Sequence, residues 1–300
     1  MIAGDVGGLT VIMPAYNAAR YIADAIESVL AQTVAGIEVL VVDDGSTDET
    51  PGIVDRHARS VRRHRQPNQG VAKARNAGIA LAHTRYIAFL DADDVWLPEK
   101  TERQLEAMAK SGTNHRASST KFLSENSDRT RVEVRGGRRS QSTLSDLLLL
   151  GNTIGTPSTV ICERSLLEQA GGFDPAFSQC ADWDMWIRLA AITEFCSIDQ
   201  PLVRYRQHAA NMSRDVGLLE RDSVAVLEKA FAMPRLSASL RSRRRESLAR
   251  NYSVLAGSYW YAGQYGSSVR CAIRALSLDI RQAEYLVRFP VRMARRRFVT

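Results

Sequence analysis

No run of apolar residues in this chain approaches the roughly 18 that a membrane-spanning helix needs. The first residues, MIAGDVGGLTVIM, carry Asp5 and lack a basic stretch followed by an apolar one, so no secretory signal is expected. Cysteine is scarce. Cys162, Cys180, Cys196 and Cys271 are scattered without C-x-x-C spacing, which argues against a zinc site and predicts free thiols in a reducing cytoplasm. Both common phosphate loops are missing: there is no G-x-x-x-x-G-K-[ST], and no G-x-G-x-x-G follows the first strand candidate. Lysine vanishes from the last sixty residues, whereas arginine does not. From Arg241 to Thr300 there are 13 arginines and three acids, Glu246, Asp279 and Glu284, so this segment carries about +10. Against +7 for the whole chain, the first 240 residues carry about −3.

What is present is an ordinary globular composition, 45% hydrophobic and 24% charged over 300 residues. That length holds one large domain, or one of about 200 residues with a smaller companion. The first half alternates strand-like and helix-like patterns, which predicts a mostly parallel sheet with covering helices. Leu9–Met13, Ile37–Val42 and Tyr86–Leu90 are near-continuous apolar runs, as strands buried on both faces require. Asn17 can cap a helix whose apolar positions are Ile22, Ala25, Ile26, Val29 and Leu30. Ser46-Thr47-Asp48-Glu49 fits a capping box, and a third helix covers roughly residues 71–83. The polar stretch 112–143 reads as a long loop. Patterning resumes with Leu144–Leu150, a strand at Ser158–Cys162, and helices from about Ser165 and Asp182. Strand signals fade after residue 215. Leu248–Tyr261 and Ser267–Leu278, joined at Gly263–Gly266, form either one tetratricopeptide-like unit or a plain helical hairpin. The expected division is 1–215 and 216–300.

Each strong strand candidate ends in a polar cluster: Pro14-Ala15-Tyr16-Asn17, Asp43-Asp44-Gly45-Ser46 and Asp91-Ala92-Asp93-Asp94. Ligands of open α/β sheets bind outside the carboxyl ends of the strands, so three clusters on one rim imply one site. Carboxylates as close as Asp91, Asp93 and Asp94 repel one another unless a cation sits among them. Hard oxygen ligands suit Mg²⁺ or Mn²⁺, which typically adds substrate phosphates to one or two carboxylates. Without a glycine-rich nest, a diphosphate here must be neutralised by metal and side chains. Arg75 lies on the apolar stripe of its helix, with Val71, Gly78, Ile79 and Ala82, where a solvated arginine is out of place. It reaches either an anion or a structural salt-bridge partner.

The motifs P-A-Y-N, V-D-D-G-S-T-D, N-Q-G-V-A-K-A-R-N-A-G and F-L-D-A-D-D, in this order, resemble those of family 2 glycosyltransferases with the GT-A fold. The similarity runs over about residues 9–213. It implies a GT-A, Rossmann-like α/β domain with a C-terminal helical segment, and an inverting transfer from a nucleotide-sugar, with UDP the expected nucleotide. By the same resemblance Pro14, Ala15, Tyr16 and Asp44 line a nucleoside pocket with Asp43 beside it. Asp91 and Ala92 contact the nucleotide-sugar, Asp93 ligates Mn²⁺ or Mg²⁺, and Arg75 sits near the nucleotide. Gly171-Gly172-Phe173-Asp174 and Asp182-Trp183-Asp184-Met185-Trp186 continue it. Where the family carries an acidic pair, this chain has Ala181 and Asp182, and Asp182 matches the catalytic base; read as a residue alone, it could instead, or also, be its helix's N-cap. Tyr205-Arg206-Gln207-His208 through Ser213 is similar to a segment whose histidine approaches the metal or diphosphate, although a lone histidine is often structural.

Two other classes share some of these features. A nucleotidyltransferase also uses carboxylate-bound metal, but a glycine- and Lys/Arg-rich loop should then follow the first strand. A nucleic-acid-binding protein could use the arginine-rich end, but no stacking platform is interleaved with it, and none is expected to bind. Arg288, Arg292, Arg295, Arg296 and Arg297 either meet anionic lipid headgroups or form a solvated run. The first option fits the lipid-linked acceptors common in the family and a peripheral position at the inner face of the membrane. The other expected acceptor is a glycan.

Overall fold

The computed structural model describes residues 8–112, 114–126, 132–136, 141–208 and 215–287. Ser213 and the arginines from Arg288 onward lie outside the described residues. The strands are β1 (Leu9–Ala15), β2 (Ile37–Asp43), β3 (Val61–Arg65), β4 (Tyr86–Phe89), β5 (Val95–Trp96), β6 (Ala117–Asn126), β7 (Val132–Arg135), β8 (Gln141–Ser142), β9 (Val160–Glu163) and β10 (Phe195–Gln207). The helices are α1 (Ile22–Leu30), α2 (Thr50–Asp55), α3 (Val71–Leu81), α4 (Lys100–Lys110), α5 (Leu144–Leu150), α6 (Arg164–Gln169), α7 (Ala181–Ala190), α8 (Val216–Phe231), α9 (Ala238–Ser242), α10 (Arg244–Tyr261), α11 (Tyr265–Leu278) and α12 (Gln282–Val287). They group into two compact units: Met1–Thr143 with Asn152–Ala209, and Leu144–Gly151 with Ala210–Thr300.

The first unit is built on one sheet in the order β3-β2-β1-β4-β9-β6-β10-β5, with β7 added to β6 and β8 to β10. β3, β2, β1 and β4 are parallel, so their carboxyl ends share one rim. Register sets the rim's geometry, with Ala15 opposite Asp43 and Ile12 opposite Phe89. All seven residues of β1 are buried, the cause of its unbroken apolar run. α3 packs against β1 and β2, and Gly78 is the close-approach point: a Cβ there would collide with the Ile12 side chain. Beyond β4 the sheet becomes mixed, antiparallel at β9 and parallel between β6 and β10. Phe89, Phe173, Trp186 and Phe195 interlock there largely edge to face.

Several local expectations are corrected. The stretch 112–143 is not one long loop, because β6 runs through it. Its buried positions Ser118, Ser119 and Thr120 are polar, which hid the strand from a hydrophobic reading. Ser118 is satisfied instead by Gln104, whose Nε2 donates to its carbonyl and its hydroxyl. The basic edge strand β3 and the long β10 were likewise not anticipated. Asn17 does not cap α1; Tyr21 occupies that position, and Asn17 takes a left-handed φ of 49°. The capping box at 46–49 does not form. Asp48 Oδ1 accepts from Thr50 N at 2.9 Å, and Ser46 Oγ accepts from Asn17 N at 3.0 Å. The strand expected from Ser158 begins at Val160, after a single 3₁₀ turn at Pro157–Thr159.

The second unit is helical among the described residues. α10 and α11 form an antiparallel hairpin, and α8 and α5 pack against α10. Its core holds Val216, Leu255, Ala256, Tyr259 and Cys271. Asp215 caps α8, accepting from Leu218 N at 3.0 Å. No helix of the described residues is long and apolar enough to cross a membrane.

Candidate active site

The ends of β1 and β2 are stitched together by backbone–backbone and backbone–side-chain hydrogen bonds. Asp44 N donates to Ala15 O at 2.8 Å, and Asn17 Oδ1 accepts from Thr47 N at 2.8 Å. Pro14 and Ala15 are buried while Tyr16 is exposed at the rim. Asp43 is fully buried; Oδ1 accepts from Ser46 N at 2.9 Å, and Oδ2 makes no hydrogen bond but faces Arg65 Nε at 3.6 Å. Asp44 is also buried, and its carboxylate ties down the loop between β3 and α3. Oδ1 accepts from Gln66 Nε2 (2.7 Å) and Gln69 N (3.0 Å), and Oδ2 from Gly70 N (2.8 Å).

The four-residue acidic cluster after β4 divides by direction. Asp91 Oδ1 meets Arg75 Nη2 at 2.6 Å, and its backbone N–H donates to Ser158 Oγ at 3.0 Å. Arg75 is buried with its guanidinium 5.3 Å from the centre of the Phe173 ring, and its Nε has no partner. Ala92, next to Asp91 in sequence, is buried. Asp93 Oδ2 lies 2.9 Å from His208 Nε2, and the His208 ring stacks on Tyr21 with centroids 4.8 Å apart. Burial, then the Asp91 charge, raises the Asp93 carboxyl, while His208 opposes the shift. Asp94 turns inward and is wholly enclosed. It accepts from Ser158 Oγ at 2.6 Å and Arg206 N at 3.3 Å, and burial, with Asp93 and Asp91 adding, holds its carboxyl far above the ordinary range. Asp94 is therefore a bolt under the cluster, and only Asp91 and Asp93 remain for a ligand.

Asp182 sits in the first turn of α7, but Cys180 is the N-cap, so the capping alternative does not hold. Its oxygens accept from Trp183 N at 2.7 Å and Asn152 Nδ2 at 3.0 Å. Burial pushes its carboxyl up to about 6; Arg75 pulls it down, and the Asp91 charge pushes it up. Arg75, Asp91 and Asp182 thus form one electrostatic group. Asn152, Thr156 and Ser158, which hold this group from the segment before β9, carried no recognisable motif. Among the described residues no three His, Cys, Asp or Glu side chains group to cage a metal. A carboxylate and an imidazole side by side, Asp93 and His208, fit a divalent cation that takes its remaining ligands from a diphosphate and water.

Residues 10–171, more than half of the chain, match the family model described as Glycosyl transferase family 2. The chain belongs to glycosyltransferase family 2. Among its curated relatives, an uncharacterized glycosyltransferase of Nostoc sp. is 34% identical over 220 residues, covering 68% of this chain and 66% of the relative. The succinoglycan biosynthesis protein ExoO of Rhizobium meliloti is 31% identical over 267 residues, covering 82% and 76%. Across the first curated relatives that it matches, the chain spans between one third and two thirds of their length. Among solved structures, S. aureus TarS 1–349 superposes with a TM-score of 0.62 at 18% identity, covering 90% of this chain and 83% of TarS, and it is also known in complex with UDP. The mannosyltransferase PcManGT of Pyrobaculum calidifontis, in complex with GDP-Man and Mn²⁺, gives 0.61 at 20% identity, covering 95% and 82%. At these identities the structures establish the fold, and that fold is GT-A.

Proposed function

We propose that this family 2 member is an inverting, metal-dependent hexosyltransferase. It moves a sugar from a nucleotide-sugar, with UDP as the nucleotide, to a hydroxyl of a glycan or lipid-linked acceptor during polysaccharide or glycoconjugate synthesis. The observation that carries this is the convergence around Asp91 of a raised carboxyl (Asp182), a buried arginine with an unpartnered donor (Arg75) and the Asp93–His208 pair. The succinoglycan protein and the UDP complex of TarS support the polymer and the nucleotide respectively.

Asp182 takes the proton of the acceptor hydroxyl as its oxygen attacks the anomeric carbon, on the face opposite the diphosphate. The bond from that carbon to the diphosphate oxygen breaks, and its electron pair leaves with the nucleotide. Asp93 and His208 would hold Mn²⁺ or Mg²⁺, which would supply positive charge against the diphosphate. Arg75, with Asp91 orienting it, adds a fixed positive charge in a buried setting. Three of the roughly four acceptor positions of Asp44 are filled by the Gln66–Gly70 loop, which leaves one for an imide N–H of the base. Pro14, Ala15 and Tyr16 flank it, with Asp43 and Ala92 beside the same pocket. Residues 1–215 supply every proposed catalytic residue and 216–300 a basic helical extension, whose arginine-rich end holds the protein at the cytoplasmic face of an anionic membrane.

Calorimetry with UDP tests the donor reading. Binding in Mn²⁺ that weakens strongly in chelator is the expected outcome. UDP binding indifferent to chelator, or absent while GDP binds, overturns the metal–UDP assignment.

A further inference from the structure

In the helical unit, the exposed apolar residues are concentrated instead of scattered. Of fourteen exposed large hydrophobics among the described residues, eight lie between Val254 and Val287. Three of them, Tyr265 (57% exposed), Val269 (55%) and Ile273 (63%), follow one another at four-residue steps along α11. That spacing puts them on one face, while Ser268, Cys271 and Ala275 occupy the buried face of the same helix. At the turn, Trp260 extends the stripe, its ring 4.9 Å from that of Tyr265. An apolar stripe this continuous, on a helix whose other face is satisfied, marks a contact surface.

Charge selects the occupant. α10 and α11 carry five arginines, Arg244, Arg245, Arg250, Arg270 and Arg274, against the single acid Glu246. Arg270 and Arg274 follow Val269 and Ile273 directly in sequence, and so border the stripe. Arg270 is shared with Glu220 at 2.6 Å, whereas Arg274 adjoins the stripe and pairs with no acid among the described residues. Two copies meeting through this face would find no acid on each other's α11 to pair with these arginines, which disfavours a self-complementary contact. Tyrosine and tryptophan at one end, aliphatic side chains along the middle and arginine at the border are what a headgroup layer accommodates.

We propose that the exposed face of α11, with Trp260 at its end, is a seat for an anionic lipid surface, inserting Tyr265, Val269 and Ile273 among the headgroups. This rests on and deepens the peripheral-membrane reading by naming a second contact besides the arginine-rich end. It does not depend on the donor or the metal.

The four tryptophans make the test specific. Trp96, Trp183 and Trp186 are buried, at 2%, 5% and 0% exposure, whereas Trp260 is 41% exposed. Full-length protein is mixed with vesicles of equal parts phosphatidylglycerol and phosphatidylcholine, with and without bromine on the acyl chains. Bromine should quench a fraction of the fluorescence that disappears in Trp260→Phe, and vesicles of phosphatidylcholine alone should give none. Val269→Ser with Ile273→Ser should weaken vesicle binding roughly tenfold or more, with an unchanged melting temperature because both sites are exposed. The Trp260 quenching should persist after truncation before Arg288. Full-length protein that pellets with vesicles without quenching of Trp260 overturns this seat and leaves the arginine-rich end as the sole contact. Protein that does not pellet at all overturns both. A dimer in sedimentation velocity that the Val269→Ser, Ile273→Ser pair converts to monomer assigns the face to self-association and overturns the lipid proposal.

Discussion

Asp182 carries opposite demands at one atom group: burial favours its neutral form, and its proposed work requires the anion. With the folded pKa near 6 and the reference value 3.8, the native chain holds this proton more tightly than the unfolded chain. Asp182 is therefore neutral for stability below about 4, becomes increasingly costly between about 4 and 6, and costs at most roughly 3 kcal/mol above that window. Asp182→Asn removes this cost. The same change leaves one of two donors, Asn152 Nδ2 or Trp183 N, without an acceptor, which costs about 1–3 kcal/mol. The two effects largely offset, so the melting temperature at pH 7.5 should move little and UDP affinity should hold. Transfer should fall by roughly 10²-fold or more. In the unsubstituted enzyme, log kcat/KM should rise with unit slope and level off near pH 6. A flat profile from pH 5 to 8, or near-normal transfer by the Asn variant, places the base elsewhere.

At the scale of elements, what was legible in the sequence is what is local. β1, β2 and β4 announce themselves because each is a short apolar run ending in its own polar cluster, and the parallel register then brings those ends together. Arg75 was legible for a related reason, since one helix period placed it on the buried stripe. β6 was not, because its buried Ser118 and Thr120 break the apolar pattern that a reader of sequence relies on. Ser158 was not, because its meaning lies in Asp91 and Asp94, 67 and 64 residues away. The packing of α3 on β1 gives a prediction on this scale. Gly78→Ala would gain about 0.5–1 kcal/mol of helix propensity. The added methyl, however, meets Ile12, which has no exposed surface and is held within the central strand. Overpacking of that kind costs about 1–3 kcal/mol, so urea unfolding should show net destabilisation. Because Arg75 lies one turn earlier on the same helix, the shift should also weaken its grip on Asp91 and lower UDP affinity. Gly78→Ala with unchanged stability and affinity would mean that α3 can move away from β1 without disturbing the rim.

At the scale of the whole molecule, the chain passes between its two units three times, after Thr143, Gly151 and Ala209, and not once near residue 215. The chain leaves the first unit after Thr143, contributes α5 to the second, and returns at Asn152. Within the second unit α5 buries Leu147, Leu148 and Leu149, and Ser247 Oγ donates to the carbonyl of Leu148 from α10. A fragment ending at residue 215 keeps every proposed catalytic residue but strips α5 of the helix it packs on. Each newly uncovered leucine forfeits about 2 kcal/mol of burial, and three adjacent ones form an adhesive patch. The segment they belong to leads directly into Asn152, which holds Asp182. The 1–215 fragment should therefore aggregate on expression. Replacing Leu147, Leu148 and Leu149 with serine in the same fragment should return it to solution with UDP binding intact. Transfer should nevertheless stay depressed where α5 is loose, since Asn152 then loses its fixed approach to the base. If the unaltered fragment proves monodisperse and transfers sugar at the full-length rate, α5 serves neither the fold of the catalytic unit nor its site.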